Sequence, residues 1–338
     1  MISRAVCCAG LWLLLLPTLA SAEDDTSLLK YWLDKMLQSD QSYSYEGTFV
    51  YRRLEDMMSM KIAHIADCMG GGDRLESLSG AEKSVVHDLD GVTCVVEVRG
   101  EEEVTECHRE SRFRGAMLKH FERIKNYYKF DLFDSDRIAG RLCRKLVIQP
   151  SDSLRYGHRL WVDEETGLLL RTELLDTDGK VLEQLMFTDL KVYKSPPEDL
   201  INRVKRNANN IEPAVANLPE SEQPKVATAA ATHDDIPKVT KWRVTKMPEG
   251  FDLLQHFDHR GRHTHSERVE HMIFSDGMAT VSIFIEKNQA GHEPFIGRSS
   301  MGAVNVYGSV IDDHQVTIVG EVPFATVQLI GNAIRNTK

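Results

Sequence analysis

Five histidines, His256, His259, His263, His265 and His271, lie close together in the chain, and clustered imidazole nitrogens are the first place to look for zinc chemistry. Their spacing matches no closed tetrahedral pattern, and no cysteine stands near them. Arg260-Gly261-Arg262 in their midst reads as a solvated loop, so no metal is expected there. Gly70-Gly71-Gly72 has the composition of a phosphate loop, in which backbone N–H groups cradle phosphate oxygens. It lacks the Lys-Ser/Thr that must follow and the helix they open, and therefore reads as a hairpin tip. Glu164-Glu165 and Asp312-Asp313 could serve acid–base chemistry, but both pairs sit among turn-forming residues, where solvated turns account for them. A Gly-x-Ser-x-Gly elbow, a Walker loop, a dinucleotide fingerprint and His-Glu-x-x-His are all absent from the sequence. The residues point to a binding protein without a cofactor rather than to an enzyme.

The other reactive side chains are six cysteines. Cys7 and Cys8 fall in a leader: Arg4 supplies the positive start, Ala5 to Leu16 is apolar, and Ala20-Ser21-Ala22 has the small-x-small form that a signal peptidase cuts after. The apolar run is shorter than the roughly 20 residues a spanning helix needs. Cleavage after Ala22 is expected, with no Leu-x-x-Cys for a lipid anchor, and export places Cys68, Cys94, Cys107 and Cys143 in an oxidising compartment. Val92 to Arg99 reads as a strand, Gly100-Glu101 as a two-residue turn and Glu102 to His108 as the return. On that register opposed residue numbers sum to 201, as do those of Cys94 and Cys107, so a Cys94–Cys107 disulfide is expected. Cys68 and Cys143 have no assigned partner.

The elements that must position these residues are mostly strands. Leu28, Leu29, Trp32, Leu33, Met36 and Leu37 share one face of a 3.6-residue period and predict a helix from Asp25. Strand signals then dominate, beginning with Tyr45 to Arg53 and Met58 to Ala66. The spacing of Leu118, Phe121, Ile124 and Tyr128 predicts a second helix over Met117 to Tyr128. Strand pairs follow across Ala139-Gly140, Glu164 to Gly167 and Asp176 to Gly179. Antiparallel strands joined by short turns and flanked by helices describe an α+β layer, which either encloses an apolar hollow or packs solid.

Asn207 to Lys241 contains no aromatic residue and is rich in Ala, Pro, Thr, Asn and Glu, a composition that cannot offset chain entropy and reads as a linker. The expected division is a signal peptide at 1–22, a first domain at 23–200, a linker at 201–240 and a second domain at 241–338. In the second domain, strands are expected at Val269 to Phe274, Met278 to Glu286, Ala303 to Ile311 and Gln315 to Glu321. A helix is expected from Pro323, although Gly331 inside it costs about 1 kcal/mol relative to Ala. The whole chain of 338 residues carries 51 acidic and 41 basic side chains, a net charge of -10. Residues 23–195 hold 33 acidic and 25 basic groups, while residues 241–338 hold 11 and 10 with seven histidines. An acidic exported chain is a poor candidate for wrapping nucleic acid, and no nucleic-acid partner is expected.

Several strings bear a resemblance to a known family. They are Tyr45-Glu46-Gly47-Thr48-Phe49-Val50-Tyr51-Arg52-Arg53, Asp136 to Arg141, Leu154-Arg155-Tyr156-Gly157-His158-Arg159-Leu160-Trp161-Val162-Asp163 and Thr166 to Arg171 in the first domain, with Phe274-Ser275-Asp276-Gly277-Met278-Ala279 and Gly302 to Gly308 in the second. The chain resembles the RseB/MucB family, periplasmic negative regulators of the sigma-E envelope stress response. The resemblance implies an N-terminal half-open antiparallel β-barrel with covering helices, like the lipoprotein carriers, plus a smaller C-terminal α+β domain. It also implies a periplasmic location and a partner, the periplasmic domain of a membrane-spanning RseA/MucA-like anti-sigma factor, which the regulator shields from proteolysis. Release would follow from an amphipathic lipid ligand such as lipopolysaccharide or lipid A. On this reading Trp32, Phe49, Tyr51, Met58, Met60 and Ile62 are candidates to meet acyl chains, although the same residues suit plain core. Arg52, Arg53, Arg141 and Arg155 are candidates for lipid phosphates. Trp242, Phe251, Phe274, Ile283 and Phe284 are candidates for the partner surface. A homo-oligomer is left open, and a lipid or lipoprotein carrier is the alternative function.

Overall fold

The computed structural model describes residues 22–66, 72–79, 84–87, 93–98, 101–106, 121–205, 241–260, 268–288 and 293–337. The expected leader up to residue 21, Gly70 and Gly71 of the triple glycine, Cys68, Cys107, and residues 206–240 of the linker expected at 201–240 lie outside those residues.

The chain begins with α1 (Ala22–Ser42), whose Leu29, Trp32, Leu33 and Met36 are buried at the helical spacing expected of them. Then come β1 (Ser44–Arg53), β2 (Asp56–Ile65), β3 (Gly72–Ser77), β4 (Ser84–His87) and a separate hairpin of β5 (Thr93–Val98) and β6 (Glu101–Glu106). A short α2 (Phe121–Ile124) precedes β7 (Tyr128–Ile138), β8 (Arg141–Pro150), β9 (Gly157–Asp163), β10 (Leu169–Leu175) and β11 (Val181–Tyr193), and α3 (Glu198–Lys205) follows. Nine of these strands form one antiparallel sheet in the order β4-β3-β2-β1-β11-β10-β9-β8-β7. Among the described residues its two ends do not pair with each other, so the barrel is half open.

Register shifts at Thr48/Phe49, Phe133/Ser135, Leu169/Arg171 and Leu174/Leu175 bend this sheet, as an extra residue on one strand sharpens local twist. The β7–β8 turn is the expected Ala139-Gly140, with φ of 48° and 77°. Positive φ at both central residues is the hairpin geometry that matches strand twist. On one side of the sheet, α1 and α2 cover Leu146, Ile148, Leu160 and Val162. Leu200 and Val204 of α3 pack on Ala63, so the body of this domain runs past residue 200. The helix expected over Met117 to Tyr128 is shorter among the described residues, because Tyr128 already opens β7 and is buried there.

The second domain comprises β12 (Trp242–Val244), β13 (Asp252–Arg260), β14 (Arg268–Ser275), β15 (Thr280–Lys287), β16 (Gly297–Met301), β17 (Val304–Ile311), β18 (His314–Gly320), α4 (Phe324–Asn332) and β19 (Ile334–Asn336). Six strands pair in the order β13-β14-β15-β18-β17-β16, and β12 pairs with β19. Val281, Ile283 and Ile285 alternate inward beside Val316 and Ile318, and Val327 and Ile330 of α4 close the core over them. Gly331 has a packing reason inside that helix: a Cβ there would stand 2.3 Å from the Tyr307 ring. Pro323 is the N-cap of α4, as the sequence suggests. His256 and His259 of the histidine cluster lie in β13.

The β5–β6 hairpin has a different register from the one expected. Val98 opposes Glu101 and Cys94 opposes Thr105, a sum of 199 rather than 201. That register differs by two from the expected one, and Cys107, the expected disulfide partner of Cys94, lies outside the described residues. Cys143 is a free, buried thiol, and burial pushes its pKa up to about 12, so it is inert.

Candidate functional site

The apolar face that carries most of the acyl-chain candidates is built by the β1–β2 register. Tyr45 opposes His64, Gly47 opposes Ile62, Phe49 opposes Met60 and Tyr51 opposes Met58, which puts all of them on one side of the sheet. Phe49, Tyr51, Met60 and Ile62 pack in one cluster with Phe187, Leu170 and Trp161. Gly47 lets the ring of Phe187 lie across β1, since a Cβ there would be 3.1 Å from that ring and 2.5 Å from the Asp189 carbonyl. The Tyr51 hydroxyl donates to Glu183 at 2.7 Å, and burial together with that bond holds its pKa above the usual tyrosine range. Met58 is 39% exposed at the end of the face. Trp32 is elsewhere, in the separate core beneath α1.

The four arginines have different surroundings. Arg52 and Arg53 are successive residues of β1 and point to opposite sides of the sheet. The Arg53 stem lies against Gly302 of the second domain, where a Cβ would be 2.8 Å from its Cδ. Arg141 donates from Nε and Nη2 to Asp163 at 3.0 and 2.9 Å, and from Nη2 to Glu165 at 2.8 Å. These bonds, that to Asp163 first, raise its pKa above the usual arginine value. Arg155 is wholly buried.

Of the aromatic and aliphatic candidates in the second domain, Trp242, Phe251 and Ile283 are buried in the domain core. Substituting any of them would act through folding. Phe274 and Phe284 are partly buried, and Phe284 stacks on His271 at 4.1 Å between ring centroids. His256 Nε2 lies 3.3 Å from Glu270. His263 and His265 lie outside the described residues.

Sequence reading missed a polar seam where the two domains meet. Arg155 of the first domain donates from Nε to Asp276 of the second at 2.6 Å. Its other nitrogens donate to the Asp152 carboxylate and the Glu249 carbonyl, and its guanidinium lies over the rings of Tyr127, Tyr128 and Phe251. The Tyr128 hydroxyl also donates to Asp276, at 2.9 Å, while the other Asp276 oxygen accepts the backbone N–H groups of Met278 and Ala279. Around this centre, Asn305 donates to the Tyr156 hydroxyl at 3.0 Å, and Thr326 donates to the Leu154 carbonyl at 2.7 Å. Met278 inserts into the core beneath α1, and Ala303 packs on Tyr156 and Leu174. A signal was available: the strings Leu154 to Asp163 and Phe274 to Ala279 are the two halves of the seam.

His158 lies beside it on β9, and burial lowers its pKa to about 4 against the opposing pull of Asp276. An unfolded histidine titrates near 6.5, so as the pH falls below that value the unfolded chain takes up a proton that the folded chain refuses until about pH 4. Stability is therefore lost on acidification through this window. Allowing for partial solvent access, the loss from this group between pH 7 and 5 is roughly 1–2 kcal/mol. Urea titrations at the two pH values check this: His158→Gln is expected to flatten the dependence, and an unchanged slope would remove His158 as its source.

A half-open sheet roofed by helices, with an apolar face and a second small domain held through a buried polar seam, defines a two-domain binding protein. The chain belongs to the MucB/RseB family: the model of the MucB/RseB N-terminal domain matches residues 29–215, and that of the C-terminal domain matches residues 237–335. The sigma factor AlgU regulatory protein MucB of Pseudomonas aeruginosa is 30% identical over 313 residues, covering 90% of each chain. The sigma-E factor regulatory protein RseB of Haemophilus influenzae is 25% identical over 324 residues, covering 95% of each. The structure of the P. aeruginosa MucA/MucB complex matches with a TM-score of 0.64 at 27% identity, over 91% of this chain and 99% of that one. The family is regulatory, and the chain is not an enzyme. Among the described residues, no helix is long and apolar enough to cross a membrane.

Proposed function

We propose that this protein is a periplasmic regulator that binds the periplasmic part of a membrane-spanning anti-sigma factor and protects it from regulated proteolysis. An amphipathic ligand such as lipopolysaccharide or lipid A releases it. The observation that carries the reading is a match spanning both domains to a MucB solved with MucA, where a carrier would need only the first domain. The apolar face at Phe49, Tyr51, Met60 and Ile62 supports an acyl-chain ligand, and Arg53, two residues beyond Tyr51 and so on the same side of β1, is the better of the two β1 arginines as a phosphate candidate. Ligand and partner are linked if they favour different arrangements of the domains, and their difference in affinity sets how far the equilibrium moves. Phe274 and Phe284, partly buried, remain the second-domain candidates for partner contact. The same apolar face favours a second reading, a lipid or lipoprotein carrier.

A pull-down of the mature chain on the anti-sigma factor's periplasmic segment, repeated with lipid A, separates the two. Capture that lipid A reverses is expected. Failure to capture under any condition, with lipid still bound, would leave the carrier reading in its place.

A further inference from the structure

The seam between the domains has the chemistry of a latch. Arg155 and Asp276 are each 0% exposed, on different domains, so neither charge can be left behind when the domains part without either stranding it or admitting water. Every group of the cluster is committed: Asp276 accepts from Arg155, Tyr128 and two backbone N–H groups, and Arg155 is shared among Asp276, Asp152 and the Glu249 carbonyl. A fully satisfied buried network holds one geometry, because a partial displacement leaves charges unpaired in a low dielectric. The backbone fits as closely as the side chains do. Gly250 has φ of +85° and presses on Tyr127, where a Cβ would stand 2.4 Å from the ring.

We propose that the Arg155–Asp276 pair, with Tyr128, is an interdomain latch: it fixes one relative orientation of the two domains and opens in an all-or-none step rather than by gradual sliding. Asp276 is preset for this by its own turn, since the Met278 and Ala279 N–H groups hold one carboxylate oxygen and aim the other across the seam. Arg155 therefore holds the domains together and is not available to a lipid phosphate while the latch is closed. The latch rests on the proposed function only for its consequence, that a ligand opening it would change the face shown to the partner.

The test uses the full mature chain with Asp276→Asn, Arg155→Met and Tyr128→Phe. Asp276→Asn keeps an oxygen for the turn and loses the charge, and Tyr128→Phe removes only the hydroxyl. Small-angle X-ray scattering reads domain arrangement, calorimetry reads whether the domains melt together, and circular dichroism confirms that each variant is folded. Loss of one member of the buried pair is expected to raise the open population about a hundredfold, seen as a larger radius of gyration and a melt split into two transitions. Tyr128→Phe is expected to shift both readouts in the same direction by less. If Asp276→Asn and Tyr128→Phe fold and keep the original scattering curve and a single transition, the latch is overturned, whatever becomes of Arg155→Met. These readouts need no partner, so failure of the proposed function would show separately, as no capture by the unaltered chain.

Discussion

Gly167→Ala is expected to lower the stability of the first domain by about 3 kcal/mol and to loosen α1 from the sheet. Gly167 closes the β9–β10 turn with φ of +82°, its N–H donating to the Asp163 carbonyl at 2.9 Å. A Cβ there would lie 2.5 Å from the backbone oxygen of Lys35 and 2.9 Å from its carbonyl carbon. Those atoms belong to the body of α1 and cannot swing aside as a side-chain end could. Lys35 is tied to the same turn a second time, its Nζ donating to the Glu164 carbonyl at 2.5 Å. Gly140 supplies the control: its φ is +77°, but a Cβ would have nothing within 4 Å. Gly140→Ala is expected to cost about 1 kcal/mol, from backbone conformation alone. Urea unfolding of the two variants measures the difference, and equal losses would show that the helix contact contributes nothing.

Trp161→Ala is expected to cost about 3–5 kcal/mol, the range for truncating a buried tryptophan. Trp161 is 3% exposed in the cluster that contains Phe49 and Phe187. It directly opposes Lys145 on β8 and Arg171 on β10, and their charged groups lie 5.3 and 4.3 Å from a Trp161 ring centroid. Its indole N–H donates to Asp136 at 2.8 Å, which, with the Arg137 backbone N–H, holds that carboxyl below the usual aspartate range. Trp161→Phe keeps most of the ring and loses this donor, so a loss of about 1 kcal/mol is expected. A folded-state value lowered in this way gives stability that is present above the unfolded aspartate pKa and lost as the pH falls through the folded one. Trp161→Phe is therefore also expected to lose less stability on acidification. Denaturation at pH 7 and pH 3 checks both statements, and parallel behaviour of Trp161→Phe and the parent would assign the bond no energetic role.

Much of both domains was legible because the signals are local. The 3.6-residue spacing of Leu29, Leu33 and Met36 gave α1, and Ala139-Gly140 and Asp312-Asp313 marked turns that do adopt positive φ. The β1–β2 face followed from a period of two. The register of the β5–β6 hairpin differs from the expected one by two, because it hangs on a single local assignment of where the strands end. No strand was expected over His256 and His259, because polar, histidine-rich composition hides a strand whose pairing with β14 is a tertiary feature.

By itself the sequence determined the α+β class and the family, both of which rest on residue type and near-neighbour spacing. It could not determine which apolar residues pack as core and which stand exposed. Trp242, Phe251 and Ile283 have the composition of a partner surface and the burial of a domain core. Nor could it reveal that Arg155 finds Asp276, 121 residues further along the chain. That pairing depends on how two separate sheets dock, and only the tertiary structure brings an arginine of one domain and a turn aspartate of the other into one water-excluded seam where each charge needs the other.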